Sequence, residues 1–283
     1  MQSPTALPGS ARVRGRLTFS ISMQLREIGE LGLLAELERR GLARGIADDA
    51  AVLDAGLVVT QDALVEGVHF TFDRIAWREL GYRAAAVNFS DLAASGAAAE
   101  GLVVSLGAPG DTDLDSVLEL YEGIAETGVD VVGGDTTAAD RVYLSVTALG
   151  RSQRVPGRGG AQPGDLLVVT GPLGAAGAAF REGGLSRPPV RLEEGRQLAE
   201  HAHAMIDISD GIARDAGHIA ERSGCRLVVD LDHLVDDRAV EDLGNEAGAD
   251  SLDLVRARRA AGEHGRGRRL HRDDVELRPT LLE

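Results

Sequence analysis

Carboxylates recur along this chain at positions where a simple solvated surface does not call for them. The stretch from Gly45 to Phe70, GIADDAAVLDAGLVVTQDALVEGVHF, holds two short apolar runs, Ala50–Leu53 and Leu57–Thr60, joined by Asp54-Ala55-Gly56. A three-residue link ending in Gly predicts a tight β-hairpin. Folding it about Ala55 pairs Leu53 with Leu57, Ala50 with Thr60, and Asp48 with Asp62, with Asp49 alongside. Like charges directly opposite on paired strands repel. A cation belongs between them, and Mg²⁺, a hard oxygen-seeking ion, is the simplest candidate. The competing reading lets these side chains splay into water at a strand end.

Three further places carry the same chemistry. In a helix expected from about Ala76 to Ser95, Leu80, Ala84 and Val87 mark an apolar face that Asp91 continues at i+4. A carboxylate on a core-facing stripe is costly unless paired or bound to metal, so Asp91 reads as a ligand ahead of a stripe-edge Asp reaching solvent. Gly133-Gly134-Asp135-Thr136-Thr137 follows a short strand, Val129–Val132. Paired glycines let backbone N–H groups approach an anion while the Asp holds a cation, although an ordinary turn looks the same. Asp207, Ser209 and Asp210 crowd the start of a helix expected over Ile212–Ser223. One N-cap explains one of them, not three.

The elements that must position these residues alternate between strand and helix periods. A helix runs from Gln24 until Gly41 stops it, and the hairpin and the Asp91 helix follow. Then come a strand over Gly101–Gly107 and a helix over Asp113–Thr127 with Leu114, Val117, Leu118, Tyr121 and Ile124 inward. The succession predicts a mixed α/β (α+β) first domain over 23–150. The Arg-, Gly- and Pro-rich stretch Arg151–Gly164 marks a boundary to a second domain, 151–255, with strands at Asp165–Thr170 and Arg226–Leu231. GPLGAAG at its start lacks the Rossmann glycine spacing. Residues 1–22, with Arg and Ser and no acid, read as a tail or an upstream start ahead of Met23, with a transit peptide as the alternative. Residues 256–283, rich in Arg and without periodicity, read as an atypical basic tail, disordered or out of frame.

Composition narrows the classes of function. The 283 residues carry a formal net charge of −15, which argues against sequence-independent nucleic-acid binding. Every basic residue among the Lys and Arg is Arg, which excludes a phosphate loop built on Lys. The single Cys225 forms no intrachain disulfide and suits a reducing, cytoplasmic compartment. No stretch is long and apolar enough to span a bilayer as a helix.

The blocks GIADDAAVL, TQDALVEGVHF, GYRAAAVNFSDLAASGA, VVGGDTT, RGGAQPGD, VTGPLG and IDISDG, in this order, closely resemble the thiamine-monophosphate kinase family over roughly Met23–Leu254. The resemblance implies the two-domain fold of the aminoimidazole ribonucleotide synthetase superfamily and a homodimer formed sheet to sheet. It also implies ATP-dependent phosphorylation of thiamine monophosphate to thiamine diphosphate, with several Mg²⁺ ions and no covalent nucleophile. By the same resemblance, Asp48, Thr60, Asp62, Asp91, Asp135, Asp207 and Asp210 are metal ligands. Tyr121, Gly134, Asp135, Arg158 and Ser209 contact ATP, and His69 contacts thiamine monophosphate. The chain departs from the family pattern at Ala47, Gln61 and Ala138, and the family's C-terminal GGEDYEL block is absent. The alternatives are a truncated member that binds nucleotide or dimerises without turnover, and another ATP-dependent synthetase of the superfamily.

Overall fold

A computed structural model describes residues 24–46, 48–171, 173–230, 253–256 and 276–278. Ala47, the 1–22 tail, Pro172, and residues 257–275 and 279–283 of the basic tail lie outside the described residues. The chain divides into two compact units, Met1–Arg44 and Gly45–Glu283. In the first, helix α1 (Leu25–Arg39) opens with the Gln24 N–H donating to Glu27 Oε2 at 2.8 Å, and it breaks internally at Gly29.

The second unit is built on a five-stranded sheet of order β1-β2-β5-β3-β4. Its strands are β1 (Ala51–Val52), β2 (Leu57–Val65), β3 (Ala98–Ala108), β4 (Val131–Ala138) and β5 (Tyr143–Arg151). The pairings are antiparallel except for β3 with β4, which run parallel and are joined through α3 (Leu114–Ala125), as a parallel pair requires. The hairpin register is Ala51↔Val59 and Val52↔Val58, which is the register of a fold about Ala55. Strand β1 is shorter than expected, although the Leu53 N–H still donates to the Leu57 carbonyl at 2.7 Å across a 3₁₀ turn over Asp54–Gly56.

Helices α2 (Trp77–Ala94) and α3 cover one face of the sheet. The core joins Leu80, Phe89 and Leu92 of α2, Leu120 and Ile124 of α3, and Leu102, Val104, Leu144 and Val146 of the central strands. The helices touch backbone to backbone: a Cβ on Gly81 would sit 1.8 Å from the Leu120 carbonyl oxygen, and one on Gly123 1.8 Å from that of Arg78. This close crossing turns Leu120 and Gly123 toward α2 and leaves Leu114 and Leu118, expected inward, exposed.

GGDTT is not a loop. It lies inside β4, because the buried strand β3 must pair its outer edge and does so from Val103↔Gly133 to Ala108↔Ala138. Gly134 passes so close that a Cβ there would be 1.9 Å from the Val104 carbonyl oxygen. All eight residues of β4, at the sheet edge, are exposed.

The expected boundary near residue 150 falls within this unit, at the end of β5. Beyond it come β6 (Leu166–Val169), α4 (Ala175–Arg181), α5 (Leu192–Ala199), α6 (Ile212–Ser223) and β7 (Val228–Asp230). A small core of Ala216, Ile219, Ala220 and Leu227 lies under α6. The expectation of no regular structure from Arg256 onward needs correcting in two places. Strand β8 (Asp253–Arg256) pairs with β6, and β9 (Glu276–Arg278) pairs in parallel with β7. Unpaired strand edges recruit available backbone without needing side-chain periodicity.

Candidate functional site: three converging carboxylates

Strand β2 and helix α2 build the site's base. Asn88, fully buried, donates from Nδ2 to the Ala84 carbonyl at 2.9 Å and accepts the Asp62 backbone N–H at 3.1 Å. One turn on, Asp91 Oδ2 accepts the hydroxyl of buried Thr60 at 2.5 Å. Between them, Ser90 Oγ donates to Asp207 Oδ2 at 3.1 Å, which ties the segment before α6 to α2.

From the loop before β1 comes Asp49, whose side chain is 3% exposed. Its Oδ1 accepts the Arg158 guanidinium, from Nε at 3.1 Å and more closely from the terminal nitrogen. The Arg158 backbone N–H donates to Asp48 Oδ1 at 2.9 Å. Oxygens of Asp49, Asp91 and Asp207 all lie within 4.8 Å of one another. Two ligands opposite each other on one Mg²⁺ stand about 4.2 Å apart, given its bond lengths of about 2.1 Å.

This group is short of positive charge. Burial pushes the Asp91 carboxyl up to about 8, against the Thr60 hydrogen bond and with added repulsion from Asp207, Asp62 and Asp49. Burial and then the charge of Asp49 raise Asp207 to about 6. For Asp49, burial outweighs the bond to Arg158, and the carboxyl is raised. Burial works to lower the Arg158 guanidinium, but Asp49, Asp207 and Asp48 together raise it, so it remains a cation. One Arg does not balance three clustered acids, and an all-oxygen donor set that is short of cations suits Mg²⁺.

The other expected residues lie in distinct places. Asp62, half-buried on β2, adds its field to Asp91. Asp48 is exposed and occupied by the Arg158 amide. Asp210 is exposed and pairs with Arg214 at 2.8 Å. Asp135 and Gly134 line an open cavity of about 510 Å³ with Tyr121, Val104, Val131, Val132, Gly133 and Thr136; burial raises the Tyr121 phenol. His69 is exposed, and its Nδ1 accepts the Val65 N–H at 3.0 Å, so the neutral ring carries its proton on Nε2. Ser209 is exposed, and its N–H goes to Asp215. Among the described residues, Asp48, Asp135 and Asp210 do not join the three-carboxylate group.

Asn88, Ser90 and Asp215 were not among the expected site residues, and Asp49 was expected only alongside Asp48 and Asp62 at the hairpin end, without an assigned ligand role. Asn88 also left a trace in the sequence, as an amide three residues before Asp91 on a buried helix face.

Comparison with known proteins defines the class. The family model for AIR synthase related protein, N-terminal domain, matches residues 47–152, the stretch that carries the five-stranded sheet with α2 and α3. A thiamine-monophosphate kinase of Aquifex aeolicus is 32% identical over 230 residues, covering 73% of this chain and 75% of its own. One from Mycobacterium tuberculosis is 34% identical over 244 residues, covering 77% and 73%. A solved structure described as AaThiL complexed with AMPPCP and TMP superposes with a TM-score of 0.73 at 26% identity, covering 91% of this chain and 96% of that one. The stretch 47–152 and the overall fold are thus of the AIR synthase related class. Within that class, the chain belongs to the thiamine-monophosphate kinase family.

Proposed function

We propose that this protein transfers the γ-phosphoryl group of ATP to thiamine monophosphate, yielding thiamine diphosphate and ADP. The observation that carries the reading is the convergence of Asp49, Asp91 and Asp207 beside Arg158 in a chain of this family. A phosphate oxygen of thiamine monophosphate attacks the γ-phosphorus in line, and the bond to the β-bridging oxygen breaks as ADP leaves. No protein nucleophile is required, because phosphoryl transfer depends mainly on alignment and charge neutralisation.

Asp49, Asp91 and Asp207 would hold Mg²⁺, with Asp48, Thr60, Asp62, Asp135 and Asp210 extending the set to further ions. When bound, Mg²⁺ neutralises and orients the phosphate oxygens. Tyr121, Gly134 and Asp135 offer the open cavity to ATP, and the Arg158 guanidinium and Ser209 hydroxyl reach its phosphates. His69, with its proton on Nε2, donates toward thiamine monophosphate. Residues 45–150 form the nucleotide lobe and 151–230 the lobe that brings Arg158 and Asp207 to it. A homodimer through the sheet is supported by the wholly exposed edge strand β4, and a cytoplasmic location by the single cysteine. No helix among the described residues is long and apolar enough to cross a membrane.

The test is chromatographic detection of thiamine diphosphate from ATP, Mg²⁺ and thiamine monophosphate, with ADP measured in parallel. Equal ADP formation with and without thiamine monophosphate, and no thiamine diphosphate, would refute the assignment.

A further inference from the structure

The start of α6 has the makings of an anion site, and the chain fills it with its own side chain. Asp215, in the first turn, is 3% exposed. Its Oδ2 accepts the backbone N–H groups of Ser209, Asp210 and Gly211 at 3.0, 3.1 and 3.1 Å. Successive amides converging on one oxygen form a nest, and at a helix N-terminus such donors ordinarily take phosphate or another anion. Here they are already engaged. The N-cap residue, Gly211, has no side chain to offer, and Asp215 binds its N–H and the two amides before it rather than those of the helix's first turn.

The consequence reaches the acidic group. Asp207 is tied through its side chain to Ser90, and the backbone from two residues further on is tied to Asp215. The turn thus wraps around a buried negative charge while Asp207 extends toward Asp49 and Asp91. Asp210 faces outward to Arg214.

We propose that Asp215 is a positioning residue: by filling the amide nest it fixes the segment from Asp207 to Gly211 so that Asp207 meets Asp49 and Asp91. It thereby makes the start of α6 a place that gathers cations, and phosphate reaches this segment through a cation or the Ser209 hydroxyl, not through these amides. The inference rests on reading the three carboxylates as a cation site.

The experiment uses the full chain, with Mn²⁺ binding followed by electron paramagnetic resonance and amide exchange at 209–211 followed by mass spectrometry. Removing an outer partner of a ligand typically weakens metal binding by about 10- to 100-fold. Asp215→Ala is expected to lower Mn²⁺ affinity by at least about tenfold and to speed exchange at these amides. Formate, a free carboxylate able to occupy the emptied nest, should reverse both effects. Asp215→Asn keeps the shape and an acceptor oxygen but loses the charge that makes such bonds about twice as strong, so a smaller loss in the same direction is expected. It decides the matter if the Ala variant does not fold. Wild-type exchange in either folded variant, or faster exchange with unchanged Mn²⁺ affinity, overturns the positioning role. A wild-type chain that takes up no Mn²⁺ refutes the cation reading and this role with it; a wild-type chain that binds Mn²⁺ as tightly as both variants refutes only the role.

Discussion

Replacing Asp91 with Asn tests the charge imbalance at the centre of the site. The Asp91 carboxyl is raised from 3.8 to about 8, first by burial. Between those values the folded chain keeps a proton that the unfolded chain releases. Stability is therefore present in full below pH 4 and lost as pH rises toward 8. A gap of about four units at about 1.36 kcal/mol per unit sets a ceiling near 6 kcal/mol. Local relaxation and water entry reduce it, and about 2–3 kcal/mol is expected across pH 5 to 8. Asp207, raised to about 6, adds in the same direction over the lower part of the window. The assay is urea unfolding of protein in EDTA at pH 5, 6.5 and 8, for wild type and Asp91→Asn. The Asn side chain keeps an oxygen for the Thr60 hydroxyl without the charge. The variant should show a flatter pH profile and exceed wild type in stability at pH 8 without metal. It should also lose the Mg²⁺-dependent gain, which for wild type is about 2.7 kcal/mol at a hundredfold excess over Kd. Metal-free wild type that is level or more stable toward pH 8, or a variant no more stable than wild type there, would refute the reasoning.

Two other substitutions probe the supports of the site. Gly123→Ala places a Cβ 1.8 Å from the Arg78 carbonyl oxygen, and forcing α2 and α3 apart should cost about 3 kcal/mol. A calorimetric midpoint lowered by about 6–12 °C is expected, and a fall under about 2 °C would show that the crossing is not close-packed. Arg158→Ala leaves Asp49, 3% exposed, without its guanidinium. Because the Arg158 side chain is itself 26% exposed, the loss should lie near the lower end for a broken buried pair, about 3 kcal/mol in EDTA. Saturating Mg²⁺ should narrow the gap to wild type in the same unfolding assay, and a gap that Mg²⁺ leaves unchanged would argue against a cation beside Asp49.

Much of the scaffold was legible in the order of residues because it depends on local rules. Ile212–Ser223 is a helix with the expected ends. The hairpin takes the register that Asp54-Ala55-Gly56 implies, since a short turn and the pairing of its two flanks are set within a dozen residues. The ordered blocks from GIADDAAVL to IDISDG sufficed to indicate the family. What the sequence left undecided was which acids meet. Asp48 and Asp49 are neighbours of one chemical type, and only the fold distinguishes them. Arg158, more than a hundred positions away, takes Asp48 with its backbone and Asp49 with its guanidinium, and Asp49 joins Asp91 and Asp207. GGDTT looked like a loop because its glycines have high turn propensity; it is a strand because the edge of β3 requires a partner. The two acids and the serine before α6 looked like competing caps; the N-cap is Gly211, without a side-chain cap, and the amides of Ser209, Asp210 and Gly211 converge instead on Asp215. In the first two cases the deciding contact joins segments distant in sequence by burial, hydrogen bonding or charge, and no rule of local spacing carries that information; the Asp215 contacts span only four to six residues, and burial of its side chain singles it out.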